Sequence, residues 1–458
     1  MSEETEYSGL WWLPSDPGRQ VTGHLDLNSP ILELELDAPL LPADGSEQDF
    51  PVIHGRSRGG FELTLLGVSS IRDWPMATWF AVDDALVGGH LDLAEAAFAE
   101  TTVVMDHLTE WVPARGIRVG GSRYGEPGKN ELELTYPGQP PLEGRLPDGT
   151  DVMVRCSVLH GWSLKDGHTV KYGADIRWQF RKALSTAEIV ARHVVPLQEL
   201  VAWGVQQPVT VTAAYLRVQT DQKPLEWRRR WRKASAADAD SRVGNSRLFG
   251  SDLAPTFAEG LTRWLDVLKK NRDSIDLMVS LLYGAPQYLD TTLQLVAQSL
   301  EAYHRSAFEK ERWPAKVFRE RRRAVRARFN EEEDRDLKKW LAEVLMFANE
   351  PSLAERLHDL QERVEPVLDD LLALRPDWAD DIKNMRNRYT HRGQPRRGFG
   401  REEPREMERF GRIVFDVCLL LDLGLSIDTC RDRVRQWSDY SWAMHDARKH
   451  HPPSQQSY

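Results

Sequence analysis

Arg386, Asn387 and His391 are the polar residues of this sequence with the clearest capacity for chemistry. They lie in the stretch 383–392, which is predicted to form the last turns of a helix. A histidine titrates near neutral pH and can give or take a proton. An arginine can hold a phosphate group and stabilise the extra charge of its transition state. Because RNA brings its own nucleophile, the 2′-hydroxyl, these residues predict RNA cleavage with no metal or other cofactor and a 2′,3′-cyclic phosphate product.

The spacing of Arg386 and His391 limits how they can act. Five residues turn a regular helix by about 140°, so the two side chains do not share a face unless the last turn unwinds. Two subunits that present them across a two-fold axis could still bring both to one RNA, and the active unit is therefore expected to be at least a homodimer. A helix end whose basic residues only match the helix dipole stays an alternative. The same spacing occurs where only surface or sheet-edge pairs are expected, at Arg19/His24 and Arg155/His160.

Cations cluster near the motif although the chain has a net charge of −10. Residues 383–401 hold seven Lys or Arg and no acid, and residues 305–328 hold ten Lys or Arg against three Glu. The negative total excludes a protein that binds nucleic acid over its whole surface, so an RNA site must be a local patch. A solvated helix face is the alternative for residues 305–328. The residues expected to steer RNA are Arg388, Arg392, Arg396 and Arg397.

A second polar group precedes the motif in the chain. Glu301 and His304 are candidates for a supporting role at the site, although Glu301 and Arg305 have the i,i+4 spacing of a plain surface pair. Three tail histidines have no cysteine or carboxylate set beside them beyond Asp446. They are expected to lie in a surface tail rather than in a metal site: His445, His450 and His451.

The predicted elements change in type along the chain. Alternation of apolar and polar residues at 31–36 and 131–136 predicts half-buried strands. Similar short runs, punctuated by Gly and Pro, continue to about residue 220, with one short helix predicted near 91–99. From about residue 256 the apolar residues repeat with a helical period. The predicted fold class is multidomain α+β, with a β-rich, sandwich-like N-terminal domain followed by an all-α helical bundle.

Four segments follow from these patterns: a β-rich domain at 1–220, a connector at 221–255, the helical bundle at 256–445 and a polar tail at 446–458. Apolar residues at helical spacing predict one helix from about Leu289 and another from about Leu353. Five further helices are predicted at 257–282, 333–349, 377–391, 404–424 and 427–440.

Composition favours a cytoplasmic protein that does not enter a membrane. Three widely spaced cysteines in 458 residues exclude a disulfide scaffold and a cysteine-rich zinc site. The acidic N-terminus is unlike a signal peptide. The longest apolar run, 413–423, contains two aspartates and is too short to cross a bilayer, so a buried core helix is expected there.

The motif Arg386-Asn387-x-x-x-His391, at the end of a helix in a C-terminal bundle, resembles the HEPN ribonuclease motif. In that motif an arginine and a polar residue precede a histidine. The stretch 299–305 resembles the preceding helix of the ApeA-type group within this superfamily. The first half of the chain resembles the ApeA N-terminal domain at 7–12, at 53–55 with 61–66, and at 195–200.

The resemblance implies a bacterial anti-phage protein of the abortive-infection type, whose HEPN-like bundle cleaves host or phage RNA, such as tRNA or mRNA, after a phage-derived trigger. It places Arg386 and His391 at the catalytic positions and Asn387 at the polar position, within a homodimer that joins two motifs. Two alternatives stay open. One is a non-catalytic protein whose bundle binds RNA or dimerises, and the other is a carbohydrate- or peptide-binding β-sandwich with a helical accessory domain.

Overall fold

The computed structural model describes most of the chain as two compact units. The first contains Met1–Ala234 and Leu248–Thr262, and the second contains Ser235–Arg247 and Arg263–Tyr458. The residues described are 5–29, 31–41, 49–71, 78–92, 96–112, 118–121, 132–135, 138, 140–163, 167–232, 246–253, 256–284, 288–329, 335–391 and 402–450.

Six antiparallel strands of the first unit close into a barrel. Their order around the barrel is β6-β3-β2-β1-β4-β5, and β5 pairs back onto β6. Because the barrel is closed, each of its six strands pairs with a neighbour on both sides, and none has the free edge of an open sheet. The strands are β1 Glu6–Trp12, β2 Val21–Asp26, β3 Leu32–Leu36, β4 Phe50–Ser57, β5 Glu62–Ser70 and β6 Trp79–Val87.

Trp11 fills part of the barrel interior. Its side chain is fully buried among Leu25, Leu34 and other apolar residues of the barrel. Gly55 lies directly opposite Trp11 on β4. A Cβ atom at Gly55 would come within 2.3 Å of the Trp11 ring, so this position requires a glycine.

The sheet continues from β6 beyond the barrel, in the order β14-β13-β7-β12-β11-β10. The two longest strands, β11 and β12, form a long antiparallel hairpin. The strands of this extension are β7 Phe98–Met105, β10 Leu142–Arg145, β11 Asp151–Ser163, β12 Gly167–Leu184, β13 Val211–Arg217 and β14 Leu225–Arg229; β8 Arg118–Gly121 and β9 Leu132–Thr135 form a separate pair.

Three short or medium helices accompany the extension. After the short helix α1 (Leu108–Trp111), the segment that follows β12 begins with α2 (Thr186–Ile189) and passes through a π-helical turn, Val190–Val194, into α3 (Val195–Val205). Ser185 caps the start of α2 in a capping box with Glu188. Nearly every residue of α3 is buried, and α1 contacts both β12 and α3.

The remaining helices follow in sequence. They are α4 Phe257–Lys270, α5 Arg272–Tyr283, α6 Leu289–Phe308, α7 Ala315–Arg328, α8 Arg335–Phe347, α9 Leu353–Leu374, α10 Trp378–His391, α11 Glu403–Asp422, α12 Ile427–Val434 and α13 Ser438–His450. Helices α6, α9, α10 and α11 all contact one another and form the core of the second unit, while α12 and α13 pack on α9 and α11.

The predicted fold class is confirmed, with differences in detail. The β-rich domain contains a closed barrel with a sheet extension instead of a plain sandwich. The helix predicted near 91–99 is wrong for every described residue there, because residues 91, 92, 96 and 97 are not helical and Phe98 begins β7, where it is buried. The helix predicted over 257–282 is interrupted at Asn271. Strand β14 lies within the segment predicted as a connector, and the predicted domain boundaries stay a prediction.

Candidate active site

Helix α10 is anchored to the core along one face. Trp378, Ala379, Ile382 and Met385 recur at helical spacing and are all fully buried. The Trp378 ring stacks on Phe410 at 5.0 Å between ring centroids, and its indole N–H donates a hydrogen bond to a side-chain oxygen on α9. This packing fixes the rotation of α10 about its own axis and therefore the face it presents outward.

The start of α10 is tied down by a buried arginine. Arg375, which precedes the helix and is 3% exposed, reaches Asp381 at 2.9 Å and Glu406 of α11 at 3.4 Å. Asp380 pairs with Lys383 one turn later. Carboxylates in the first turn also match the positive end of the helix dipole.

Arg386 lies at the edge of the buried face, one turn after Ile382, and Asn387 lies outside it. Arg386 is half-buried, Asn387 is exposed, and Arg386 Nη1 lies 3.4 Å from Asn387 Oδ1. Arg388 is also exposed. The helix runs to His391 as its last residue, so the backbone turn that contains both motif positions stays helical. The motif positions therefore remain separated by about 140° around the axis.

Three predicted RNA-binding residues lie outside the described part of the chain: Arg392, Arg396 and Arg397. The backbone of His391 is described and its side chain is not. The structure therefore brings Arg386, Asn387 and Arg388 together on the end of one helix and leaves the remainder of the predicted site as a prediction.

Tyr389 is a neighbour of the motif that the sequence analysis did not select. It is half-buried. Burial raises the pKa of its phenol, Arg388 opposes that change, and Asp290 at the start of α6 adds to it. The phenol therefore stays protonated at neutral pH and can donate a hydrogen bond. Its position as the aromatic residue between Arg386 and His391 was the feature that could have identified it.

Glu301 forms the surface pair that its spacing allowed. Its carboxylate accepts a hydrogen bond from Arg305 Nη2 at 3.0 Å, and Arg305 also approaches Glu350 at 3.5 Å. Arg305 is more than half exposed, and exposed pairs of this kind contribute little to stability.

His304 is part of a buried polar network between α6 and α9. Its side chain is fully buried, stacks on Phe308, and contacts Asp359 Oδ2 through Nε2 at 2.8 Å. Its Nδ1 lies 3.2 Å from Arg356 Nη1. Since an arginine can only donate, Nδ1 must accept and Nε2 must carry the proton. The ring is thus held neutral between a cation and an anion.

The pKa values of this network agree with that assignment. Burial lowers the pKa of His304, and Arg356 lowers it further against the opposing effect of Asp359. Burial raises the pKa of Asp359, but Lys310 and His304 together bring it below its usual range. His304 therefore connects two helices of the core as a neutral ring, and this is a structural contact.

The described residues contain no group of three or more His, Cys, Asp or Glu side chains that could hold a metal ion. Cys156, Cys418 and Cys430 are all free thiols. Within the same residues, no helix is long and apolar enough to cross a membrane.

Two family profiles match the chain. The profile of ApeA N-terminal domain 1 matches residues 6–288, which is more than half of the chain, and the profile of the Apea-like HEPN domain matches residues 295–429. The second match contains α10 and the motif residues. No curated protein and no solved structure gives a significant match.

Proposed function

The chain belongs to the ApeA-type HEPN proteins, and on that premise we propose that it is a metal-independent endoribonuclease of anti-phage defence that acts by abortive infection. HEPN domains are generally associated with nucleases. The observation that carries the proposal is that α10, fixed in the core along one face, brings the half-buried Arg386 and the exposed Asn387 together near its end. A rigid helix end that presents an arginine, an amide and a histidine suits phosphate chemistry.

The reaction needs only groups that the chain and RNA supply. The 2′-oxygen attacks the adjacent phosphorus, the bond from phosphorus to the 5′-oxygen breaks, and a 2′,3′-cyclic phosphate and a 5′-hydroxyl result. His391 as a base takes the proton from the 2′-hydroxyl, and a protonated His391 as an acid gives a proton to the departing 5′-oxygen, so that the protons balance. Arg386 binds the non-bridging oxygens as their charge grows, and Asn387, 3.4 Å from Arg386, orients the guanidinium or the RNA.

The same geometry favours an active homodimer. Arg386 and His391 are separated by about 140° on a helix that does not unwind before His391. A second α10 across a two-fold axis would supply the missing partner for each. HEPN domains generally act as dimers, and the trigger for cleavage in a cell would be phage-derived.

Purified wild-type protein should cleave tRNA or mRNA, with or without lysate from phage-infected cells, while His391→Ala and Arg386→Ala should not. Asn384→Ala is the matched control, because Asn384 is exposed on the same helix before the motif. The products should end in 2′,3′-cyclic phosphates, and EDTA should not prevent their formation. RNA that stays intact with the wild type under both conditions would instead support the non-catalytic RNA-binding or dimerising protein.

A further inference from the structure

Helices α7 and α8 belong to an arm, residues 314–348, that leaves the second unit and returns to it at one point. Among the described residues neither helix has a buried one. At the base of the arm, Arg312 N donates to the carbonyl of Asn349 at 2.9 Å, and Asn349 Nδ2 donates to the carbonyl of Trp313 at 3.0 Å. Asn349 is itself 7% exposed. The arm is therefore anchored at its base, and its surface is not used to build the core.

Helix α7 carries a stripe of cations along this arm. The stripe consists of Lys316, Arg319, Arg322, Arg323 and Arg326. These positions fall within about 120° of the helix circumference and extend over about 15 Å of its length. All are exposed except Arg322, which is half-buried. A continuous basic face of this length can meet several phosphates of one strand.

The cations of the stripe have no carboxylate partner in the part of the chain that the structure describes. This contrasts with other arginines of the second unit that do pair with a carboxylate, such as Arg363 with Asp422 and Arg409 with Asp446. Within the arm the arginines stack on aromatic rings instead. Arg322 lies over Phe318 at 5.8 Å, and Arg321, off the stripe, lies over Trp313 at 4.5 Å. In a chain of net charge −10, unpaired cations concentrated on one helix predict an external anion.

The second helix of the arm, α8, carries exposed aromatic side chains. Trp340 is 58% exposed and Phe347 is 63% exposed. They are seven residues apart on α8 and therefore share a face. Unpaired bases stack on exposed aromatic rings, and arginine holds phosphate oxygens in two parallel hydrogen bonds. Single-stranded RNA, whose bases are unpaired, could contact both the aromatic rings and the cations, whereas duplex RNA could contact only the cations.

We propose that the arm binds single-stranded segments of RNA, with the stripe on the phosphates and Trp340 and Phe347 on the bases. The proposal rests on the ribonuclease function above and adds to it a second RNA contact outside the HEPN motif. It makes the arm the element that holds the substrate strand.

The test measures RNA binding apart from cleavage. In full-length His391→Ala protein, the triple substitution Arg319→Gln, Arg323→Gln and Arg326→Gln should weaken binding of labelled oligouridine, followed by fluorescence anisotropy, by about tenfold or more. Since each phosphate contact on a single strand contributes about 0.7 to the salt slope, that slope should fall by about 2. Trp340→Ala with Phe347→Ala should weaken binding to oligouridine more than to duplex RNA.

Two controls separate this effect from net charge and from folding. Arg58→Gln, Arg181→Gln and Lys182→Gln change the charge equally at exposed positions of the first unit and should leave binding unchanged. The variant Arg319→Lys, Arg323→Lys and Arg326→Lys keeps the charge and should keep the salt slope. Unchanged oligouridine affinity in the glutamine triple variant, at an unchanged melting temperature, would overturn the proposal. The proposal would also be overturned if the glutamine triple variant lost binding to anionic phosphatidylglycerol vesicles but kept its binding to RNA, which would identify a membrane surface as the ligand of the stripe. A wild-type protein that binds RNA through the arm without cleaving it would refute the ribonuclease and not the arm.

Discussion

His304 donates a hydrogen bond from Nε2 to Asp359 Oδ2 over 2.8 Å, and this contact joins helix α6 to helix α9 in the core of the second unit. Arg356 closes the other side of the ring at Nδ1. His304, the candidate for a supporting role at the site, is thus fully engaged by its neighbours.

His304→Leu should therefore lower the free energy of unfolding by about 2–3 kcal/mol, because it leaves Asp359 and Arg356 without the ring that joins them. Urea unfolding followed by tryptophan fluorescence measures the change. Glu301→Gln, on the same helix but at an exposed pair, should cost less than about 1 kcal/mol. Equal losses from the two substitutions would show that the network contributes no more than a surface contact.

Mixing Arg386→Ala protein with His391→Ala protein should restore RNA cleavage. Each variant keeps the residue that the other lacks, so a mixed dimer has one complete pair if Arg386 of one subunit acts with His391 of the other. Random association of equal amounts makes roughly half of the dimers mixed. Each mixed dimer has one intact pair out of two, so the expected rate is about a quarter of the wild-type rate at the same protein concentration. Initial rates after subunit exchange provide the measurement.

A mixture that stays as inactive as each variant alone would show that both residues must come from one chain. As a control, each variant alone is taken through the same subunit-exchange procedure and should stay inactive.

The free energy of unfolding should decrease as the pH is lowered from about 7.5 to 5, because burial lowers the pKa of His193 to about 4 in the folded protein. The unfolded chain binds this proton near the usual value of about 6.5, so protonation favours unfolding as the pH falls from there toward 4. The difference amounts to about 2 kcal/mol at pH 5. His193→Leu should remove that part of the pH dependence. His358→Gln, at an exposed histidine on α9, should leave it in place. A His193→Leu protein with the wild-type pH dependence would contradict the assignment.

Arg247 is fully buried and contacts Asp416 and Asp439, each at 2.7 Å, beneath the ring of Trp437. Burial lowers the pKa of the guanidinium, but the two carboxylates more than compensate and raise it. Arg247→Leu would leave both carboxylates without this cation and should destabilise the second unit by about 3–5 kcal/mol.

The double variant Arg247→Leu with Asp416→Leu should recover part of the loss, since one buried charge is removed with its partner. Thermal unfolding of the single and double variants decides the point: a double variant less stable than Arg247→Leu would show that packing, and not the unpaired charge, is the main cost.

The sequence allowed the fold class and the helix with Arg386 to be predicted because both depend on local periodicity. Period-two and helical patterns are set by residues near one another in the chain. Barrel closure could not be predicted from the sequence, because it depends on β5 pairing with β6, a strand that also pairs with β3. The role of His304 was missed for a similar reason, since Asp359 lies 55 residues further along and meets it only after α6 and α9 pack.

The arm at residues 314–348 begins and ends at a single clamp around Asn349. Its length and surface can change without disturbing the packing of any core helix, because none of its described residues is buried. The folded core of the second unit and the proposed RNA contact thus lie in separate parts of the chain. Substitutions within residues 314–348 could therefore change the proposed preference for single-stranded RNA while the core helices keep their packing.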